Sequence, residues 1–151
     1  MKELIILSTN STPEIILKPD GIIKIRGRSM IVNGTNYFKQ IEEWIDRYVC
    51  DPADLTCVDI CLEYVNVSNI RIYISLLRKI ESIILKNKKY VINWYYEEGD
   101  EDILEMGKDI SFYLNMPFNL REINNVRSWQ DEQLIYKKSM YVIPEKIELL
   151  T

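Results

Sequence analysis

Histidine is missing from this 151-residue chain. Its absence removes His-based catalytic triads, a histidine general base and nearly every histidine-ligated zinc or iron site. Glycine and proline number five each. Neither GxGxxG nor GxxxxGK[ST] occurs, so a glycine-rich phosphate cradle is excluded. Cysteine is sparse as well: Cys50, Cys57 and Cys61 make an odd count that fits a reducing compartment better than a disulfide scaffold. Cys57 and Cys61 read as small half-buried side chains. A metal or redox role would need further ligands that the chain does not have. Long apolar runs are lacking. The N-terminal Leu4-Ile5-Ile6-Leu7 is too short for a signal peptide, and no stretch approaches the ~18 residues of a membrane span. The sequence therefore predicts a cytoplasmic protein with no membrane partner.

Hydrophobic residues at 47% and charged residues at 28% supply enough apolar and polar material for one globular domain. The net charge is −4. Positive charge concentrates only at Lys86–Lys89 and Lys137-Lys138, which is no footprint for nucleic acid.

Periodicity predicts the elements. Glu14–Lys18 and Ile22–Arg26 read as strands joined by Pro19-Asp20-Gly21, which carries turn chemistry. Tyr37, Phe38, Ile41, Trp44, Ile45 and Tyr48 recur at helical spacing, so a helix is expected over 35–49. Residues 56–64 alternate as a strand, with Val58, Ile60, Leu62 and Tyr64 on one face. Asn66-Val67-Ser68-Asn69 reads as a loop with capping residues. A second helix follows to about Leu85, although Ile70, Ile72 and Ile74 also alternate. Lys89–Tyr96 is a strand, and a third helix carries Ile103, Met106, Ile110, Tyr113 and Leu114. Met116-Pro117-Phe118 ends it before a short last strand. The fold class is α/β: a single mixed sheet, an N-terminal hairpin and about three helices. Residues 1–121 form the main domain. Residues 122–151 form an extension in which Leu134–Ile143 is an added strand or a partner-binding arm.

Two places attract functional readings. The Asn66–Asn69 loop lies at the carboxyl end of a strand, where ligands gather in open α/β sheets. Tyr64 adjoins it, and the Tyr95, Tyr96, Glu97, Glu98 edge lies beside it. The other place is the acidic run Glu97, Glu98, Asp100, Glu101 and Asp102. It reads either as a magnesium site, since hard cations take clustered oxygens, or as a turn plus the acidic first turn of a helix.

Several segments together resemble the SiaC family of bacterial regulatory phosphoproteins, from about Ser11 to Leu120. They are Ser11-Thr12-Pro13; Gly21 through Gly27-Arg28-Ser29, with Asn33 beyond; Leu62-Glu63-Tyr64-Val65-Asn66; Trp94 through Glu105; and Met116-Pro117-Phe118. The resemblance implies a STAS-like fold and a non-enzymatic switch or adaptor with no cofactor and no metal. It also implies a partner kinase, a PP2C-type phosphatase and a diguanylate cyclase. In the family the kinase phosphorylates the Thr of an Asn-Thr-Ser-Ser motif. Here Asn66 and Ser68 match, but Val67 stands at the Thr and Asn69 at the last Ser. Ile31-Val32 replaces the usual Pro-Glu. Either Ser68 is the acceptor, or the chain binds its partner constitutively through Tyr64, the Asn66–Asn69 loop, the helix that follows it and the Tyr95–Glu98 edge. The alternatives from other classes are a magnesium-dependent enzyme using 97–102 and an oligomerisation domain using 122–151.

Overall fold

The computed structural model describes residues 1–32, 35–115 and 118–129. One six-stranded sheet follows chain order. Its strands are β1 (Leu4–Ile6), β2 (Glu14–Lys18), β3 (Ile22–Ser29), β4 (Leu55–Val65), β5 (Lys89–Glu97) and β6 (Asn119–Ile123). β2 runs antiparallel to both β1 and β3, and β3 through β6 run parallel. Three helices make the crossovers: α1 (Thr35–Tyr48), α2 (Val67–Glu81) and α3 (Glu101–Phe112). A short 3-10 turn, Ser82–Lys86, prolongs α2. This is the mixed sheet and three-helix pattern expected from periodicity. β1 is an addition: a run too short to stand alone, fixed by pairing Leu4 and Ile6 with Leu17 and Ile15.

Every parallel step moves the same way across the sheet. Right-handed crossovers therefore put all three helices on one face. One apolar core lies between them, with Ile23 and Ile25 of β3, Val58 and Ile60 of β4, and Ile92 and Trp94 of β5 against the helices. α1 contributes Phe38, Ile41, Trp44, Ile45 and Tyr48, which is the stripe its spacing predicts. The β2–β3 turn depends on Gly21. Its φ is +100°, and a Cβ there would run into the Leu55 carbonyl oxygen. That carbonyl neighbourhood is where β4 joins the sheet, since the Cys57 N–H donates to the Gly21 carbonyl at 2.7 Å.

The opposite face of the sheet is polar as well as buried. Asp59 of β4 accepts hydrogen bonds from Asn93 Nδ2 (3.0 Å) and the Tyr95 hydroxyl (3.2 Å). Asn93 Oδ1 in turn accepts from Asn119 Nδ2 (3.1 Å) and Arg121 Nε (2.8 Å). These side chains are cross-strand neighbours, so the chain of bonds fixes the register of β4, β5 and β6. Cys61, Tyr95, Ile123, Val126 and Trp129 form a second apolar cluster on the same side. β6 thus continues to Ile123, past the expected boundary at 121. The predicted strand or arm at Leu134–Ile143 lies outside the described residues. Among the described residues no helix is long and apolar enough to cross a membrane.

Cys57 and Cys61 are buried and Cys50 is exposed. Burial, helped by the neighbouring Asp59 carboxylate, pushes the Cys57 thiol up to about 12; burial raises that of Cys61 too. A thiol with so high a pKa holds almost no thiolate at pH 8 and alkylates slowly. Iodoacetamide at pH 8 is expected to modify Cys50 alone in the folded chain and all three cysteines in guanidinium. Mass-mapped labelling of Cys61 as fast as Cys50 would contradict this burial.

Candidate functional site

The carboxyl ends of β3 and β4 and the start of α2 build the site. β3 and β4 slip register between Gly27 and Arg28: Gly27 faces Leu62, but Arg28 faces Tyr64 and Ser29 faces Val65. The extra residue in β4 is a bulge. It puts Val65 into the helix-side core, where uninterrupted alternation predicts Tyr64. Tyr64 is turned out, 47% exposed, under the Arg28 guanidinium 5.7 Å from its ring.

Asn66 follows in extended conformation and caps α2, its side chain accepting from the Ser68 N–H at 3.4 Å. The expected loop is therefore shorter than its four residues: Val67, Ser68 and Asn69 are already the first turn of α2. Asn69 points inward. Its Oδ1 accepts from Ser29 Oγ (2.8 Å) and the Ile31 N–H (3.2 Å), and its Nδ2 donates to the Ile31 carbonyl (2.9 Å). Ser29 Oγ also shares a 2.7 Å bond with the Tyr73 hydroxyl of α2. Asn69 is thus a buried anchor for the helix start and not a contact residue. The outward positions of that turn are Val67, 72% exposed, and Ser68.

The second expected patch, at the end of β5, divides in the same way. Tyr95 is buried, its ring edge-on to Trp129 at 5.1 Å and its hydroxyl on Asp59, which removes it from any docking surface. Both faces of β5 are covered, so an aromatic finds no outside there. Tyr96 is half-buried against the helix-side core. Glu97 accepts the Val126 N–H at 2.8 Å and holds the segment after β6. Only Glu98 of this set is exposed. The two patches still share one rim, because β4 and β5 are parallel neighbours.

The acidic run serves the fold. Gly99 takes φ +83° in the turn, and Asp100 caps α3 by accepting the Ile103 N–H at 3.1 Å. Glu101 and Asp102 occupy the first turn, where the helix dipole favours negative charge. Among the described residues no three cysteine, aspartate or glutamate side chains gather as ligands for a metal ion. The magnesium reading thus finds no converging carboxylates there.

Sequence reasoning also missed residues. Tyr113, expected in the buried stripe of α3, follows the helix end and is 55% exposed beside Phe112, at 85%. A signal that could have found them is the surplus of isoleucines in α2: one stripe cannot bury Ile70, Ile72 and Ile74 together with Tyr73, and Ile70 and Ile74 lie on a surface shared with Phe112 and Tyr113.

Comparison with known proteins bears on the fold and the family. The chain is 26% identical over 124 residues to an uncharacterized protein of Pseudomonas aeruginosa strain UCBPP-PA14, covering 80% of this chain and 97% of that one. The fold matches the crystal structure of apo-SiaC from P. aeruginosa with a TM-score of 0.72 at 24% identity, over 80% of this chain and 99% of the other. It also matches the crystal structure of the diguanylate cyclase SiaD in complex with its activator SiaC, from the same organism, with a TM-score of 0.71 at 25% identity, again over 80% and 99%. The model of the SiaC family of regulatory phosphoproteins matches residues 6–123, and the chain belongs to that family.

Proposed function

We propose that this chain is a non-enzymatic adaptor that binds and activates a diguanylate cyclase, and that it does so without a phosphorylation step at position 67. The observation that carries the proposal is Val67. In the fold it stands exposed in the first α2 turn, where a kinase would need a hydroxyl. Valine has nearly the volume of threonine but offers no oxygen to a phosphoryl donor, so the unmodified surface is retained permanently. The activator role is supported by the relative SiaC, which is the activator in a complex with SiaD. Tyr64, Val67, Ser68 and Glu98 are the exposed part of the rim such a partner would meet, while Asn66 and Asn69 hold it in shape.

Ser68 supports a second reading, because its hydroxyl is exposed one residue on. A phosphate there would sit at the positive end of α2, three residues before Arg71. The two readings separate when the chain is incubated with the family kinase and ATP and mapped by mass spectrometry. The expected result is no phosphate on the native chain, and phosphate at position 67 in Val67→Thr. Cyclic di-GMP production by the partner cyclase is expected to rise with the native chain whether or not kinase and ATP are present. It is expected to fall by about tenfold with phosphorylated Val67→Thr, as when about 1.4 kcal/mol of binding is lost. Phosphate at Ser68 of the native chain would replace the constitutive reading with the second one.

A further inference from the structure

The sheet face opposite the three helices is buried too. On that face the register pairs Cys57 with Val91, Asp59 with Asn93 and Cys61 with Tyr95. Each of the six is at most 8% exposed. Burial falls off sideways from these two strands. Ile22, Lys24 and Arg26 of β3 and Ile16 of β2 are half-buried, and Ile5 of β1 is 50% exposed. The cover is therefore centred over β4 and β5. Strands buried on both faces need a second layer, which stacks about 10 Å from the sheet.

The described residues supply one end of that layer. Ile123, Val126 and Trp129 cluster with Cys61 and Tyr95. Cys57 lies four residues back along β4, about 13 Å away. Cys57 and Val91 join neither apolar cluster of the described residues. The path of the chain is pinned on its way onto this face. The Glu98 N–H donates to the Ile123 carbonyl at 2.9 Å, and Glu97 accepts the Val126 N–H at 2.8 Å. Trp129 then shows the heading. Its ring lies against Tyr95 of β5 at 5.1 Å and has the Lys24 ammonium of β3 over it at 5.8 Å, so it spans β4, the strand between them. The chain has turned back from the β6 edge and reached the middle of the sheet. Trp129 is 1% exposed, and its buried Nε1 finds no acceptor among the described residues. A buried indole N–H ordinarily holds an acceptor, and this one is shut off from water at the last described residue.

We infer that the segment 130–151 of this same chain docks on that face and covers Cys57, Asp59, Val91 and Asn93. The segment starts where the cover is needed, directly after Trp129. Its 22 residues reach roughly 70 Å when extended, several times the distance to Cys57. It carries two apolar runs, Leu134-Ile135-Tyr136 and Met140-Tyr141-Val142-Ile143, which have apolar surface to bury against the Cys57–Val91 end. The family match stops at residue 123, so the segment lies beyond the part of the chain that the family shares. A second copy is the weaker occupant. The segment is tethered to the face it covers, which gives it an effective concentration on the order of millimolar, and a second copy has no such advantage.

The test places a photo-crosslinker in the full chain, with Tyr136→p-benzoylphenylalanine and Tyr141→p-benzoylphenylalanine made separately. Equal amounts of unlabelled and nitrogen-15-labelled chains are mixed, irradiated and mapped by mass spectrometry. The expected result is links within one chain, from at least one of the two positions, to the peptides that carry Lys24, Cys57 or Val91. Links that join labelled to unlabelled peptides would assign the face to a second copy and overturn the inference. So would links to α1, α2 or α3 alone, or no link from either position. The native thiols give a second readout. Val142→Asp combined with Ile143→Asp is expected to speed iodoacetamide modification of Cys57 at least about tenfold. Cys61, clustered with Trp129, is expected to keep its native rate. A Cys57 rate equal to that of the native chain overturns the inference as well. The crosslink needs no destabilising change, so it decides even where the aspartate variant unfolds.

Discussion

Replacing Asn69 with alanine is expected to cost about 3 kcal/mol and to lower the melting temperature by roughly 10 °C. The reason lies in what remains behind. Asn69 satisfies the N–H and the carbonyl of the buried Ile31 and receives the Ser29 hydroxyl. Alanine strands both Ile31 groups away from water, and a stranded buried polar group costs far more than the net value of the bond it lost. Tyr73→Phe provides the internal scale. It removes the partner of Ser29 Oγ, but Ser29 still bonds Asn69, so about 1 kcal/mol is expected. Thermal melts of the two variants should rank Asn69→Ala well below Tyr73→Phe; equal melting temperatures would refute the anchoring role. Hydrogen exchange adds a local reading, with the Ile31 amide, two residues past the end of β3, losing protection before the amides of β3 itself. The functional consequence follows from position. Asn69 is buried, yet it holds the turn that presents Val67 and Ser68, so cyclase activation is expected to fall in Asn69→Ala even at temperatures where the chain is folded.

How much of this was readable in advance depends on which periodicity each residue obeys. Phe38, Ile41, Trp44 and Tyr48 repeat at the helical interval and bury one face, so α1 was legible to within a residue. The alternation of Val58, Ile60 and Leu62 gave β4 and its orientation. That alternation failed at Tyr64, because a bulge is set by the partner strand and leaves no mark in β4 itself; Val65 took the core position. Tyr95 failed for a different reason. β5 is covered on both faces, so a period of two no longer separates inside from outside. The role of Asp59 was equally hidden. A carboxylate in a strand reads as solvent-facing, and only the pairing of β4 with β5 shows Asn93 and Tyr95 waiting to donate to it. Asn66 and Asn69 have the same side chain three residues apart, and capping chemistry predicted the first. The inward turn of the second comes from helix geometry carrying it toward the end of β3.

The second large effect is expected at Gly107, in the middle of α3. A Cβ at this position would lie 2.5 Å from Trp94 Cδ1, 2.7 Å from Trp94 Nε1 and 2.8 Å from Leu120 Cδ2, all closer than real Cβ contacts allow. Alanine at a mid-helix glycine ordinarily gains about 1 kcal/mol. Here that gain is opposed by overpacking, which typically costs 1–3 kcal/mol and more where the neighbour is fixed. Trp94 is fixed: its ring is fully buried, and Nε1 donates to the Ile103 carbonyl of α3 at 2.9 Å. α3 must lift from the sheet, and Gly107→Ala is expected to be destabilised by about 2 kcal/mol, the opposite sign from helix propensity. The same lift would move Phe112, at the end of α3. A double-mutant cycle with Trp94→Phe isolates the cause. Each change alone destabilises, but the smaller ring leaves room for the new methyl group, so the pair should be less costly than the sum by at least about 1 kcal/mol. Denaturant midpoints that add within error would show that the clash with Trp94 is not what keeps glycine at this position.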